Sequence, residues 1–303
     1  MSLTADTTLV LPATAPFEFS LSAAFLDCGA PCAAGSRRRD GGVVTGGFAP
    51  EPFVATVSAD GPDAVRAHVD WLDAPGDGYA VADHLDARLS LSDDLGPMYE
   101  TASGDEAMAD VVADLFGHHP VRFPTPFAAA CWAALSRRGP RSVAARRRDA
   151  LVRALGRVAA VDGARVSLFP TPAMVRSRPE AVGDAVVDDR SAESVLAAAD
   201  AFLSADLRER PTDALRTRLE AVPGFGPRSA AFVTLRGFGR PSVLPAADPR
   251  LRTAVGDAYG LADPTAEDVR RLADRYGDYR GYWAHYLRVR AALRGDRETA
   301  AAD

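Results

Sequence analysis

Two periodicities of apolar positions divide this chain. Over the first ninety residues, short runs such as "FEFSLSAAF", "PFVATVSA" and "ARLSLS" alternate polar and apolar residues, with Gly, Pro and Asp between them. A period of two sends successive side chains to opposite faces of a strand, so these runs predict antiparallel strands. "DAVRAHVDWL" is read as a helix packed across them, and "SRRRDGGVVTGG" as a loop and hairpin turn. After Asp94 the period becomes helical. Met108, Val111, Val112, Leu115 and Phe116 form one stripe, closed by Gly117. "TPFAAACWAALSRR" opens with Thr125 as N-cap and Pro126 at the first helical position. From there to about residue 295 the pattern predicts a compact succession of helices with no repeat and no low-complexity linker.

A chain of 303 residues is long enough for a substantial core and for roughly two or three domains. It contains no membrane-length apolar run and no charged leader followed by an apolar stretch, which makes a cytoplasmic protein the expectation. Its three cysteines, Cys28, Cys32 and Cys131, are too few for a disulfide framework or a four-thiolate iron–sulfur cluster. Cys28 and Cys32 have no second ligand pair nearby to complete a metal site.

Charge changes the picture more. The net charge of −6 argues at first against nucleic acid, but its distribution is uneven. Residues 51–120 carry fifteen acids against Arg66 and Arg88. Residues 136–157 invert this, with Arg137, Arg138, Arg141, Arg146, Arg147, Arg148, Arg153 and Arg157 facing only Asp149. Residues 208–252 hold nine arginines against four acids. The first run reads either as a solvated helix face or as a polyanion's footprint, and two basic zones in an acidic chain favour the footprint. All 35 basic residues are arginine.

The second basic zone contains the most informative stretch. "PTDALRTRLEAV" places Leu215, Leu219 and Val222 on one helical face, and "GPRSAAFVTLRG" reads as a second helix with Pro227 in its first turn and Gly237 at its end. Pro223, Gly224, Phe225 and Gly226 connect them tightly. Glycines there permit positive φ and the close approach of another backbone. The second helix then offers its free N–H groups and positive dipole end to an anion such as a phosphate. Further on, in "VLPAADPRLRTAV", Asp248 precedes Pro249 as an N-cap. A carboxylate fixed in this way is also immobile, as an electrostatic catalyst must be.

The pair "LEAVPGFGPRSAAF" and "LPAADPRLR" resembles the helix-hairpin-helix DNA glycosylases, and most of all their 3-methyladenine DNA glycosylase II branch. That branch carries Leu-x-x-x-Pro-Gly-x-Gly-x-x-Thr-Ala followed by Pro-x-x-Asp. "DDLGPMYETASGDEAM", "FPTP" at 169–172 and "YGDYRGYWAHYL" at 276–287 are similar in order and spacing, so the resemblance covers nearly the whole chain. It implies an α+β fold, in which an N-terminal antiparallel sheet with helices (1–91) is followed by two all-α subdomains with a cleft between them. These span 121–245, with the hairpin, and 246–303, and the helical segment 92–120 packs with the C-terminal one.

Carried over residue by residue, the resemblance makes Asp248 the catalytic carboxylate. Gly224, Gly226, Arg228, Ser229, Arg137 and Arg138 become DNA contacts, and Phe232, Tyr279, Phe25 and Trp283 become walls of a base pocket, with core packing as the rival role for each. The backbone carbonyls of Glu220, Val222 and Phe225 match positions that hold a monovalent cation, Na or K, when DNA is bound; no organic cofactor is implied. The implied function is hydrolysis of the N-glycosidic bond of damaged bases, alkylated purines foremost, flipped out of double-stranded DNA by a monomeric enzyme. The alternative is a non-catalytic helix-hairpin-helix DNA-binding protein in which Asp248 only caps a helix.

Three departures matter. Lyase-competent members place a Lys in the second hairpin helix, where a neutral amine attacks the sugar; this chain has no lysine, and arginine stays protonated. Monofunctional hydrolysis is therefore expected. Where relatives carry a glutamine-rich stretch, this chain reads "ALSRRGPRSVA", which puts Arg137 and Arg138 at the space left by a flipped base. Arg228 stands where the branch places a pocket aromatic, and a cation there disfavours cationic alkylpurines unless it points to phosphate.

Overall fold

The computed structural model describes residues 4–27, 31–39, 41–137, 139–161 and 163–302. Its N-terminal part comprises β1 (Thr4–Pro12), α1 (Phe19–Asp27), β2 (Arg37–Arg39), β3 (Gly42–Ala49), β4 (Glu51–Ala59), β5 (Ala64–Trp71) and α2 (Gly78–Leu89). The five strands form one antiparallel sheet in the order β1-β5-β4-β3-β2. "DAVRAHVDWL" is thus a strand and not a helix. Val65, Ala67, Val69 and Trp71 all turn to the core at period two, and β1 and β4 satisfy its backbone from both sides.

Two of the expected strands are helical instead. "FEFSLSAAF" enters α1, where Phe19, Ser22, Ala23 and Leu26 face the core at helical spacing. There Glu18 accepts the Ser20 N–H at 3.0 Å. "ARLSLS" is the end of α2, which stops where Ser90 turns left-handed at φ 55°. Apolar alternation over so few residues fits either period, and capping and burial decide between them.

After these come α3 (Gly96–Ala102), α4 (Glu106–Leu115), α5 (Pro126–Leu135) and α6 (Arg141–Leu155). A hairpin of β6 (Arg157–Val161) and β7 (Ala164–Leu168) then interrupts the expected run of helices. Its Val166 and Leu168 pack with Val44, Val54 and Leu72 on the far face of the large sheet, which buries β3 and β4 on both sides. The rest is helical: α7 (Pro172–Ser177), α8 (Pro179–Val186), α9 (Asp189–Ser204), α10 (Thr212–Glu220), α11 (Pro227–Arg236), α12 (Pro249–Tyr259), α13 (Ala266–Ala273) and α14 (Arg280–Ala302).

A single apolar core runs from the inner face of the sheet through these helices. The segment holding α3 and α4 is fastened to the C-terminal helices. The Tyr99 and Tyr286 hydroxyls lie 2.7 Å apart, and buried Asp105 accepts from the hydroxyls of Tyr259 at 2.6 Å and Tyr276 at 2.9 Å. Phe116, expected on the inner stripe, is exposed and its ring lies tilted against Tyr99. Among the described residues, no helix is long and apolar enough to cross a membrane.

Candidate active site

The hairpin forms as its sequence requires. Leu215, Leu219 and Val222 anchor α10 in the core. The turn then closes with Phe225 N–H donating to the Val222 carbonyl at 2.9 Å. Gly224 adopts φ +86°, and a Cβ there would collide with Ser194 Oγ and lie 2.8 Å from Arg137 Nη1. The turn is therefore closed to any larger residue, and Arg137 is brought onto it. Gly226 has extended φ and open space in front of its Cα, and caps α11 ahead of Pro227. The first intrahelical bond runs from Ala230 N–H to the Gly226 carbonyl. Helix geometry thus leaves the N–H groups of Arg228 and Ser229 without an intrahelical acceptor. Arg228 is exposed and Ser229 buried; Arg138 lies outside the described residues.

Asp248 caps α12 as expected. One carboxylate oxygen accepts the Arg250 N–H at 3.0 Å, and the other lies 3.4 Å from Arg288 Nη1 of α14. The Asp248 backbone is pinned on both sides, its N–H donating to Pro245 O and its carbonyl accepting from Arg252 N–H. Burial pulls the Arg288 guanidinium below its ordinary value; Asp248 opposes that shift, and Arg236 and Arg250 add to it. Asp248 and Arg288 keep 17% and 26% of their side-chain surface exposed, so the carboxylate is held yet reachable.

Both elements open onto one cleft of about 910 Å³, walled by α5, α11, the 242–248 segment and α14. Among the described residues, nine arginines line it and Asp248 is its sole carboxylate. Arg236 also ties the cleft floor to the rest of the fold, donating to Val121 O at 2.7 Å and lying 2.8 Å from His285 Nδ1. Such a field concentrates anions, and Asp248 sets a fixed negative charge within it.

Of the four aromatics expected to wall a base pocket, only Phe232 lines the cleft, set edge-on to Phe123. Phe25 is buried against His118 and His285, with the Arg236 guanidinium over its ring. Trp283 is fully buried, stacked on Tyr276 and donating to the Tyr259 hydroxyl at 3.1 Å. Tyr279 is half-buried beside Tyr282, outside the cleft lining. Side-chain packing places these rings, and sequence spacing does not reveal it.

Trp132 lines the cleft as well, but its all-apolar helix gave no signal beyond core burial. Arg250, Arg280 and Arg288 also line the cleft; the sequence marks them only by position, Arg250 within "LPAADPRLR", Arg280 within "YGDYRGYWAHYL" and Arg288 directly after it. Among the described residues no cluster of three or more potential metal ligands occurs. Cys32 and Cys131 are buried free thiols, and Cys28 lies outside the described residues.

No family model matches the chain. A DNA-3-methyladenine glycosylase of Bacillus subtilis (strain 168) is 21% identical over 214 residues, covering 68% of this chain and 71% of that protein. Among solved structures, a 3-methyladenine DNA-glycosylase from Archaeoglobus fulgidus superposes with a TM-score of 0.77 at 18% identity, over 93% of this chain and 97% of that one. The Clostridium acetobutylicum 8-oxoguanine glycosylase/lyase in complex with double-stranded DNA gives 0.72 at 17%, over 97% and 100%. The chain therefore has the α+β fold of the helix-hairpin-helix DNA glycosylases, and the resemblance read from its sequence is borne out.

Proposed function

We propose that the protein is a monofunctional DNA glycosylase that hydrolyses the N-glycosidic bond of damaged bases, alkylated purines foremost, in double-stranded DNA. The observation that carries this reading is Asp248: one immobilised carboxylate in an arginine-walled cleft beside a helix-hairpin-helix. In the proposed reaction the Gly224–Ser229 turn takes a backbone phosphate through its N–H groups and the α11 dipole. The target nucleotide leaves the stack and enters the cleft, with Phe232 as one wall, while Arg137 reaches the space left behind. As the C1′–N bond breaks, Asp248 stabilises the positive charge developing on the sugar and orients the water that adds to C1′.

Val222 O keeps a second lone pair beside its hydrogen bond to Phe225, and Glu220 ends α10 at its negative pole. These two carbonyls and that of Phe225 suit a monovalent cation, Na or K, under the bound phosphate. No organic cofactor enters the scheme, and the protein acts as a monomer. The presence of DNA-3-methyladenine glycosylases among both the sequence and the structural relatives supports the substrate class. The reading is tested by incubating the protein with duplex DNA carrying a panel of modified bases and identifying released bases by mass spectrometry. Release of an alkylated purine is expected. Binding of the DNA without release of any base would favour the rival, a DNA-binding protein in which Asp248 is only a cap.

A further inference from the structure

Two more cavities open beside the cleft. The first, of about 420 Å³, shares Trp132 and Arg141 with it. The second, of about 320 Å³, shares Pro31, Ala34, Arg37 and Arg148 with the first. Together they form a groove that leaves the Asp248 cleft, follows α6 and reaches β2 and β7. Its cations come from three separate elements: Arg37 on β2, Arg141, Arg148 and Arg153 on α6, and Arg165 on β7. Among the described residues, Asp149 is the sole acid lining the groove, and it is taken by Arg148 at 2.7 Å. Among the described residues, Arg37, Arg141, Arg153 and Arg165 have no carboxylate partner. Arg141 and Arg148 lie over the Trp132 ring at 6.0 and 5.8 Å, which restrains their guanidinium planes at the junction with the cleft.

In a chain of net charge −6, uncompensated arginines gathered in one groove repel one another, so the arrangement implies an anionic occupant. Charged residues on an edge strand also deter pairing with another sheet, which accounts for the exposed Arg37–Arg39 of β2 alone. It does not account for Arg153 and Arg165 turning to the same groove from α6 and β7. Cations spaced along a groove, and not converging on one point, suit an anion that repeats.

We propose that the DNA strand engaged in the cleft continues through this groove, so that α6 and the N-terminal sheet domain hold its phosphates beyond the flipped nucleotide. This inference rests on the reading of the cleft as a DNA site.

The test is equilibrium binding of undamaged duplexes across a salt series. Arg37, Arg153 and Arg165 are exposed, so the triple variant Arg37→Ala/Arg153→Ala/Arg165→Ala should fold normally, as its thermal midpoint would show. On a long duplex the slope of log K against log salt should fall in magnitude by about 2 to 3, at about 0.9 per lost phosphate contact. A short duplex confined to the cleft should show no change. Arg153→Ala alone should lower the slope by about 1. A wild-type slope for both variants on the long duplex would overturn the proposal. Failure of the wild-type protein to bind any duplex would instead remove the DNA reading of the cleft, and this inference with it.

Discussion

Arg288 reaches from α14 to within 3.4 Å of Asp248, so the carboxylate that caps α12 is tied to the C-terminal helix as well as to its own. The pair lies between surface and core, where neither free solvation nor full desolvation holds. Arg288→Met keeps the packing of the stem and removes the charge. It should lower stability by about 1 to 2 kcal/mol in urea unfolding and slow single-turnover base release by about tenfold, as Asp248 loses one of its two restraints. Unchanged release would show that the second restraint is not needed.

The two hairpin glycines should respond differently. Gly224→Ala meets both a positive φ and Ser194, and should cost about 1 to 3 kcal/mol of stability together with DNA affinity. Gly226→Ala meets neither, so its stability should stay within about 0.5 kcal/mol of wild type. If a phosphate approaches that open face, DNA binding should nevertheless weaken. Paired urea melts and binding titrations would check both outcomes.

The parts of the site set by local backbone chemistry were legible in the sequence. The hairpin helices, the left-handed Gly224 and the Asp248–Pro249 cap all follow from residues adjacent in the chain. Parts set by tertiary packing were not. Trp283 and Phe25 carry no mark that separates a core ring from a pocket ring, and Arg288 lies forty residues beyond the carboxylate it pairs with. In the N-terminal region, "DAVRAHVDWL" and "FEFSLSAAF" exchanged their expected states, because sheet pairing and a cap at Glu18 outweighed ambiguous alternation.

Three buried imidazoles contribute to the loss of stability in acid. Burial, followed by the charges of Arg88 and Arg208, pulls His84 down to about 3. Burial and then Arg236 do the same to His118, and His285 is also held well below its ordinary value, mainly by burial. The unfolded chain binds these protons near pH 6.5. Stability from the three groups is therefore present above about pH 6.5 and lost as pH falls toward 3. Among the described residues, neither ring nitrogen of His118 has a hydrogen-bond partner, so His118→Phe should fold. It should flatten the decline by up to about 1.4 kcal/mol per pH unit. Urea midpoints from pH 7 to 4.5 would show this, and identical slopes would contradict it.

A chain with no lysine offers no side-chain amine for a Schiff base with the sugar. Borohydride should trap no covalent adduct with DNA through a side chain, and the abasic strand should remain intact until heated in alkali. Strand cleavage during turnover would contradict monofunctional hydrolysis.

In the proposed reaction Asp248 acts by its charge. Asp248→Asn keeps an oxygen to accept the Arg250 N–H and so preserves the cap. Base release from damaged duplex DNA should slow by about a hundred- to a thousandfold while DNA affinity stays within about threefold of wild type. Release at the wild-type rate would show that Asp248 is a helix cap and nothing more.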